Sequence, residues 1–380
     1  MWAERMTSLS TVKNAVKTVA REAGFELVGV AGVGEFPELA HFPSWIQEGH
    51  AGEMKYLEAR DEEGRLKRAS LRYVAPWARS VIVCACNYNT AQPYSTEPAH
   101  PRQGWISRYA WTQQDYHDVF LKKLRTVEAK LSPLVSRLRS EASKSPQDGS
   151  SQSQVRTRCY VDTGPLVERV YAKYGGVGWI GKNTCILNQQ MGSWLFLGVI
   201  LTSIELEPDL PAPDRCGTCT RCIDACPTNA FFGPYQLDPT RCISYLTIEK
   251  RGAISEELRD GMGRHVFGCD ICQDVCPWNR NAPATDAAEF QPREQLVNPA
   301  LLWLAEMHME EFRNTFRGSP VKRTKLSGLR RNALIAMGNS GEPEFIPSVA
   351  QFVADEDPVV AEAARWALEK LRSSQQDPNK

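Results

Sequence analysis

Hydrophobic positions in the first half of the chain alternate between helical and strand-like spacing. Apolar residues recur at helical spacing from Val12 to Ala23, and Gly24 is placed to end that helix. Segment 25–30 is predicted to be a strand, and 80–86 is a continuous apolar run of strand length, as expected for a sheet that is covered on both faces. Helices and strands that alternate in this way are typical of an α/β domain.

The same alternation continues through the next hundred residues. The further predicted elements are a long amphipathic helix over 120–138, strands over 155–161 and 193–202, and a helix over 166–174. A polar stretch rich in Ser and Gln, 143–154, is predicted to be a surface loop. The pattern therefore predicts one α/β domain over residues 1–205.

The last part of the chain has helical spacing only. Helices are predicted over 326–337, 345–354 and 359–371, and Gly- and Pro-containing breaks separate them. Helices joined by Asp-Pro turns are similar to a HEAT repeat, a surface that commonly binds something large. A helical cap that only covers the sheet domain is the alternative. We expect this third domain to span residues 289–380.

Composition excludes some classes of function. The chain of 380 residues carries 45 basic and 45 acidic side chains, so any contact with nucleic acid must come from a local basic patch. The start lacks the apolar core of a signal peptide, and the longest apolar stretch, 194–201, is too short to cross a bilayer. We expect a cytoplasmic protein with no membrane contact, because its many thiols must stay reduced.

Two cysteine-rich runs carry the strongest chemical signal. The first has the bacterial ferredoxin spacing, in which the fourth cysteine binds the other cluster. The second run lacks one cysteine, and Cys242 supplies the missing thiolate. The sequence predicts two [4Fe–4S] clusters in a ferredoxin-like domain over 206–288. The predicted ligands are Cys216, Cys219, Cys222 and Cys276 for the first cluster, and Cys226, Cys242, Cys269 and Cys272 for the second.

Zinc or disulfide bonds explain these cysteines less well. Two tetrahedral zinc sites do not account for the third Cys-x-x-Cys step or for the Cys-Pro endings. A disulfide framework requires an oxidising compartment. The remaining cysteines lie in apolar runs and are predicted to be small buried hydrophobic residues: Cys84, Cys86, Cys159 and Cys185.

Asp162 is a candidate proton donor. It follows a predicted strand and precedes a helix, the place at which open α/β sheets carry reactive groups. A carboxylic acid there can give a proton to a leaving oxygen if burial raises its pKa. Capping of the helix by Asp162 or Thr163, before Pro165, is the alternative, and the residues alone favour it.

Three other segments are chemically ambiguous. The Gly-rich segment 175–181 does not fit the dinucleotide fingerprint, so it is either a loop beside a flat cofactor or a plain turn. Aromatic and polar residues at 108–111 and 115–117 line a cofactor pocket or are ordinary partly buried side chains. The basic block 313–331 contacts a phosphate backbone or is a solvated face.

Taken together, the motifs resemble the epoxyqueuosine reductases, cobalamin-dependent iron–sulphur enzymes that complete queuosine in tRNA. Two departures from the family pattern are the insert 143–154 and Gln113-Gln114, where a Gly is expected. The segments that carry the resemblance are both cysteine runs together with 108–111, 115–117, 161–169, 178–184, 245–249, 318–325 and 331–339.

The resemblance implies a mechanism. An external low-potential reductant feeds the clusters, which reduce a cobalamin between the first two domains of a monomer, and the epoxide at tRNA position 34 becomes an alkene. The family's proton donor falls on Asp162, which favours that role over capping. The implied cobalamin contacts are Arg60, Tyr109, His117, Asp162, Lys182, Asn183, Ser193 and Ser244. The implied tRNA contacts are Lys322, Arg323, Lys325, Arg330 and Arg331. The alternatives are a reductive dehalogenase-like enzyme with a small substrate and a ferredoxin-type electron carrier.

Overall fold

The computed structural model describes residues 2–142 and 155–376, so the predicted Ser/Gln-rich loop 143–154 lies outside the described residues. Ten β-strands and fifteen α-helices form within the described ranges. The strands are β1 Leu27–Gly32, β2 Ser80–Asn87, β3 Trp105–Ile106, β4 Thr157–Tyr160, β5 Trp179–Ile180, β6 Ile186–Leu187, β7 Leu195–Thr202, β8 Phe231–Gly233, β9 Gln236–Leu237 and β10 His265–Phe267.

The helices differ widely in length, and four of them exceed fifteen residues. They are α1 Trp2–Glu22, α2 Pro37–Ala40, α3 Phe42–Gln47, α4 Leu71–Val74, α5 Tyr116–Ala142, α6 Glu168–Tyr174, α7 Arg221–Asp224, α8 Ile243–Ile248, α9 Glu256–Arg259, α10 Ile271–Asp274, α11 Leu301–Glu306, α12 Met309–Thr315, α13 Lys325–Ser340, α14 Ile346–Gln351 and α15 Pro358–Gln376. None of those in the described residues has both the length and the apolar character that a bilayer crossing requires.

A four-stranded sheet in the order β1-β2-β7-β4 forms the centre of the first domain. Every residue of β2 is buried, as its apolar run predicts, because side chains from α1 and α5 pack on one face and those from α4 and α6 on the other. All three strand pairs are antiparallel. The sheet is thus antiparallel, whereas the open α/β sheets on which the sequence argument for Asp162 relied are mostly parallel.

The second core joins the cysteine-rich segment to the helical tail. Strand β3 pairs in parallel with β10, which inserts Trp105 and Ile106 among residues of both later segments. Trp105 packs edge to face on Trp111, with ring centroids 5.1 Å apart. A piece of the predicted 1–205 domain therefore belongs to the later core. The division into 1–205, 206–288 and 289–380 remains a prediction.

The tail contains the three predicted helices, with α13 packed chiefly against α15. The segment Gly318-Ser-Pro does not open α13 directly. It leads into a short 3₁₀ turn over Pro320–Thr324, in which the Ser319 hydroxyl accepts a hydrogen bond from the Val321 N–H. The HEAT-like character of the tail remains a prediction.

Arg331 is an interior residue, and its predicted contact with tRNA is wrong. It is fully buried, and its guanidinium donates to the carbonyl oxygens of Leu246 at 2.7 Å, Lys250 at 2.9 Å and Gly252 at 2.7 Å. A guanidinium with these partners is not available to a phosphate. It ties α13 to the end of α8, so the basic block does not form one continuous charged surface.

Replacing Arg331 with Met should lower the free energy of unfolding by about 3 kcal/mol, because three buried carbonyl groups lose a charged donor. Lys325→Met removes a positive charge from an exposed position of the same helix and serves as the control. Denaturant unfolding followed by circular dichroism measures both variants. Equal stability of the two would contradict a structural role for Arg331.

Candidate functional site

Asp162 lies on the loop between β4 and α6. Its backbone is left-handed, with φ of +55°, and its side chain is 68% exposed. Arg68 contacts the same loop, where its Nη2 donates a hydrogen bond to the carbonyl oxygen of Gly164 at 2.9 Å. The residue at the N-cap of α6 is Val167, and no side chain caps that helix. The structure therefore excludes capping of α6 as the role of Asp162, and it shows an exposed carboxyl where the sequence argument required a buried one.

Two aromatic side chains from the start of α5 hold the Asp162 carboxylate. The Tyr116 hydroxyl donates to Oδ2 at 2.9 Å, and His117 Nε2 lies 3.9 Å from the same oxygen. The other ring nitrogen of His117, Nδ1, is 2.7 Å from Oδ1 of Asp115. His117 also stacks on Tyr116 with ring centroids 4.0 Å apart. Asp162 is thus oriented by a fixed hydrogen-bonded group.

The protonation of this group follows from its surroundings. Burial, and then the neighbouring Asp162 carboxylate, raises the pKa of Tyr116 well above its usual value, so its phenol stays a hydrogen-bond donor. Burial acts to raise the pKa of Asp115, but hydrogen bonds from the side chain and backbone of His117 outweigh it and lower that pKa. Asp115 therefore stays ionised and fixes the orientation of the His117 ring.

Tyr109 connects this group to the cysteine-rich segment. Its ring packs against Tyr116 at 6.1 Å and Phe267 at 6.0 Å between centroids. Burial first, and then Asp162 and Asp270, raises the pKa of Tyr109 well above its usual value. Asp270 lies between two predicted cluster ligands in sequence and accepts a hydrogen bond from the backbone N–H of Arg108 at 2.7 Å. One phenol ring thus lies near both the carboxyl and the predicted clusters.

The helical tail also reaches the site, through Arg323. Its guanidinium makes two hydrogen bonds to Glu249, of 2.6 and 3.1 Å, and lies 5.2 Å above the ring of Tyr56. It also interacts electrostatically with Asp162. Lys322 is exposed and lowers the pKa of Asp115 through its charge, after the larger effects of burial and His117. All three segments of the chain therefore meet around Asp162.

The other two predicted tRNA contacts have different environments. Lys325 is exposed at the start of α13. Arg330 is turned inward and donates to the carbonyl oxygens of Ala305 at 2.9 Å and Met307 at 3.0 Å. Lys322, Arg323 and Lys325 are thus the exposed members of the predicted set.

Three predicted cofactor contacts instead hold the cysteine-rich segment in place. Lys182 donates from Nζ to the carbonyl oxygens of Gly217 at 2.6 Å and Cys219 at 3.0 Å. Asn183 donates to the carbonyl of Cys272 at 3.3 Å. The hydroxyl of Ser193 accepts a hydrogen bond from Asn279 at 2.8 Å. These polar groups join the two domains and are already used within the protein.

The remaining predicted cofactor contacts are less constrained. Arg60 is exposed and folds back to donate to the carbonyl of Gly64 at 2.7 Å. Ser244 is partly exposed on α8, two residues after Cys242. The structure therefore gathers Tyr109, His117 and Asp162 into one site and leaves Arg60 outside the contacts that build it.

One group of cysteine thiols forms around the first run. Cys222 interacts electrostatically with Cys216 and Cys219, and Cys276 from the second run interacts with Cys222 and Cys216. Burial, followed by these neighbouring thiols, raises the pKa of Cys222 and of Cys276 to about 11. Crowded thiolates repel one another, and a cationic iron core removes that cost, so this donor set fits a cluster.

A second group forms around the second run. Cys269 interacts electrostatically with Cys242 and with Cys226 of the first run. Cys272 interacts most strongly with a further thiol, Cys185, and also with Cys269 and Cys242. The prediction that Cys185 is an ordinary core residue is wrong, because it is only partly buried and lies against a predicted ligand. Cys84 and Cys86 are buried as predicted.

Sequence reasoning missed three residues of this site. Tyr116 and Glu168 stand inside motifs that were recognised, but neither was identified as a site residue. Arg68 lies far from both in sequence. No spacing rule points to Arg68, because its guanidinium reaches the Asp162 loop only through the fold. The one sequence signal for a missed residue was the position of Glu168, a second carboxyl six residues after Asp162.

Comparison with known proteins gives matches over most of the chain. Residues 215–279 match a family model described as a 4Fe-4S double cluster binding domain, which confirms the predicted pair of [4Fe–4S] clusters. Residues 68–163 match one described as epoxyqueuosine reductase QueG, DUF1730. A protein of Pseudomonas aeruginosa named epoxyqueuosine reductase is 38% identical over 362 residues, which cover 94% of this chain and 93% of that protein.

Solved structures give the same result. A crystal structure of epoxyqueuosine reductase with a tRNA-Tyr epoxyqueuosine-modified stem loop is similar with a TM-score of 0.80 and 30% identity, covering 95% of this chain and 90% of that one. Epoxyqueuosine reductase from Bacillus subtilis, described with its catalytic aspartate loop swung out of the active site, has a TM-score of 0.79 and 29% identity at the same coverage.

Proposed function

This chain belongs to the epoxyqueuosine reductase family, and we propose that it reduces the epoxide of epoxyqueuosine at position 34 of tRNA to the alkene of queuosine. The observation that carries the proposal is the meeting of all three segments at Asp162, which interacts electrostatically with both Arg323 and Tyr109. Similarity to a complex with an epoxyqueuosine-modified stem loop supports the substrate. Matches across nearly the whole chain favour this function over the dehalogenase-like and electron-carrier alternatives.

The proposed electron path begins at the surface and ends beside Tyr109. The first cluster is held by Cys216, Cys219, Cys222 and Cys276, and the second by Cys226, Cys242, Cys269 and Cys272. The electrostatic grouping of the thiols supports this crossed arrangement. Exposed residues at 217 and 218 lie on the first ligand loop, which favours it as the entry point for an external low-potential reductant.

A cobalamin between the first domain and the cysteine-rich segment is consistent with the residues at this position. Tyr109 and Tyr116 offer aromatic faces, and both phenols remain neutral. The Asp115 carboxylate holds the His117 ring through Nδ1, which leaves Nε2 at 3.9 Å from Oδ2 of Asp162. We expect Tyr109, His117 and Ser244 to contact the cofactor. When bound, cobalamin supplies a strongly reducing cobalt centre.

Asp162 donates the proton that the departing epoxide oxygen requires. Tyr116 fixes the direction of the carboxyl through the 2.9 Å hydrogen bond, and Arg68 holds the loop through its bond to the Gly164 carbonyl. The carboxyl is open to solvent in the protein alone. Binding of the modified nucleoside against it would cover the carboxyl and exclude water. The Bacillus subtilis relative, described by a catalytic aspartate loop, supports this role.

Anaerobic incubation with epoxyqueuosine-containing tRNA, cobalamin and a low-potential reductant tests the function. Mass spectrometry of the digested nucleosides should show queuosine, which has one oxygen fewer. The same incubation without reductant is the control. Failure to form queuosine with reconstituted clusters would overturn the proposed function.

Changing Lys322, Arg323 and Lys325 together to Gln should weaken tRNA binding and reduce the dependence of affinity on salt. Each phosphate contact that is lost lowers the slope of log affinity against log salt by about 1. Filter binding at several salt concentrations measures both effects. A matched variant changes Lys122, Arg125 and Lys130 on α5, which are also exposed. An equal loss in both variants would show a general charge effect and contradict a specific surface.

A further inference from the structure

The proposed reaction consumes two protons. Two electrons break the carbon–oxygen bonds and form the carbon–carbon double bond, and the oxygen leaves as water only after it has gained two hydrogens. A single carboxyl such as Asp162 can give only one proton at a time. The reaction therefore requires a second acid, or rapid reprotonation of Asp162 while substrate covers it. This inference rests on the proposed function.

Glu168 provides a second carboxyl beside Asp162. It is the first residue of α6, six positions after Asp162 along the same loop. The residue as a whole is partly exposed, but its Oε1 is buried and has no hydrogen-bond partner, and the carboxyl interacts with the Glu168 backbone. A buried carboxylate oxygen without a partner is costly, and protonation of the carboxyl lowers that cost.

The charged groups around Glu168 come from three elements. Asp162 faces it from the loop, Arg68 from the turn that supports the loop, and Arg169 from its own helix. Burial first, and then Asp162, raises the pKa of Glu168 to about 7 despite the two arginines. At neutral pH a large fraction of Glu168 therefore carries a proton that Asp162, once ionised, can accept.

The two arginines have other partners that keep them from neutralising Glu168 directly. Arg68 bonds to the carbonyl oxygens of Tyr56 at 2.7 Å and Gly164 at 2.9 Å. Arg169 bonds to the carbonyl of Thr184 at 2.8 Å. Their charges nevertheless limit the rise in the pKa of Glu168, so the group can both hold and release a proton near neutrality.

We propose that Glu168 is a proton reservoir, which returns a proton to the Asp162 carboxylate within a single catalytic cycle. Asp162 first protonates the oxygen as its first bond to carbon breaks. The proton of Glu168 then moves to Asp162, directly or through one bridging water, and Asp162 delivers it as the oxygen leaves as water. Both carboxylates end ionised and regain protons from solvent after product release.

An ordinary structural role for Glu168 is the competing explanation, because acidic residues stabilise the first turn of a helix. Glu168→Gln separates the two. Glutamine keeps the size and hydrogen-bonding ability of the side chain but holds no transferable proton. Glu38→Gln is the matched control, because Glu38 also packs on α6, where it pairs with Lys173 at 2.6 Å.

The experiment measures single-turnover formation of queuosine by pre-reduced holoenzyme, at saturating epoxyqueuosine-containing tRNA, from pH 5.5 to 8.5. We expect Glu168→Gln to be about tenfold slower than the unchanged protein at pH 6, with the difference disappearing above about pH 8. The sign follows from the ionisation of Glu168, which loses its proton as pH rises through about 7. Glu168→Asp should restore part of the rate.

Each outcome has a separate meaning. If the unchanged protein forms no queuosine, the proposed function fails. If it forms queuosine and Glu168→Gln shows the same rate at every pH, the reservoir is wrong. A rate reduced equally at every pH, with lowered thermal stability, would assign Glu168 to structure alone and also overturn the proposal.

Discussion

Asp162→Asn should reduce queuosine formation by about 10²- to 10⁴-fold, the usual contribution of a general acid. Asparagine can still accept the hydrogen bond from Tyr116, so the loop should keep its position while the transferable proton is lost. The exposure of the Asp162 side chain makes the substitution tolerable for folding, since no buried group loses its partner. The loss should therefore fall on turnover and leave the clusters intact.

Single-turnover nucleoside analysis measures this effect, and visible absorption of the clusters checks that they are retained. Asp118→Asn, at an exposed position in the first turn of α5, is the control and should retain full activity. Tyr116→Phe should give an intermediate loss, because it removes only the orienting hydrogen bond. Full activity of Asp162→Asn would remove Asp162 from the proton-donor role.

Single substitutions of the eight predicted ligand cysteines should each remove one cluster of two and strongly reduce turnover. The crossed arrangement gives a sharper expectation for Cys276, which stands in the second run but groups with the first-run thiols. Cys276→Ala should lose the same spectroscopic signal as Cys216→Ala. Cys226→Ala should lose the signal that Cys269→Ala loses. Either loss breaks the electron path, so we expect turnover to fall at least about 100-fold.

Iron analysis and electron paramagnetic resonance of the reduced protein distinguish these pairs. Iron should fall from about eight to about four atoms per chain in each variant, following the composition of two cubane clusters. Cys159→Ser is the control, because that thiol lies on β4, away from both groups. If Cys276→Ala matched Cys269→Ala instead, the clusters would be uncrossed and the ligand assignment would be wrong.

Local patterns along the chain were sufficient for much of the fold. Helix α1, which ends at Glu22 just before Gly24, and the buried strand β2 follow from hydrophobic spacing, since burial of one face or both faces leaves a recognisable pattern. Strand direction was not available from that signature. The connection between β1 and β2 is long enough for either direction, so only the register of the formed sheet shows the antiparallel order.

The basic block shows a similar division. Composition correctly located a cluster of positive residues but gave Arg331 the same status as Lys322. In the fold, Arg331 is buried against three carbonyl oxygens, whereas Lys322 remains in solvent. Charge is a property of the residue type, while exposure depends on what packs against it.

The sequence by itself determined the cysteine spacing that defines two clusters and the motif that contains Asp162. Both signals are local. One short segment supplies most ligands of a cluster, and a single loop supplies the acid. Only the tertiary structure brought Arg323 and Tyr109 to that acid from distant segments, and only packing buried Oε1 of Glu168 in the same motif. Burial and electrostatic contact are set by packing across the whole chain, so the environment that tunes each carboxyl exists only after folding.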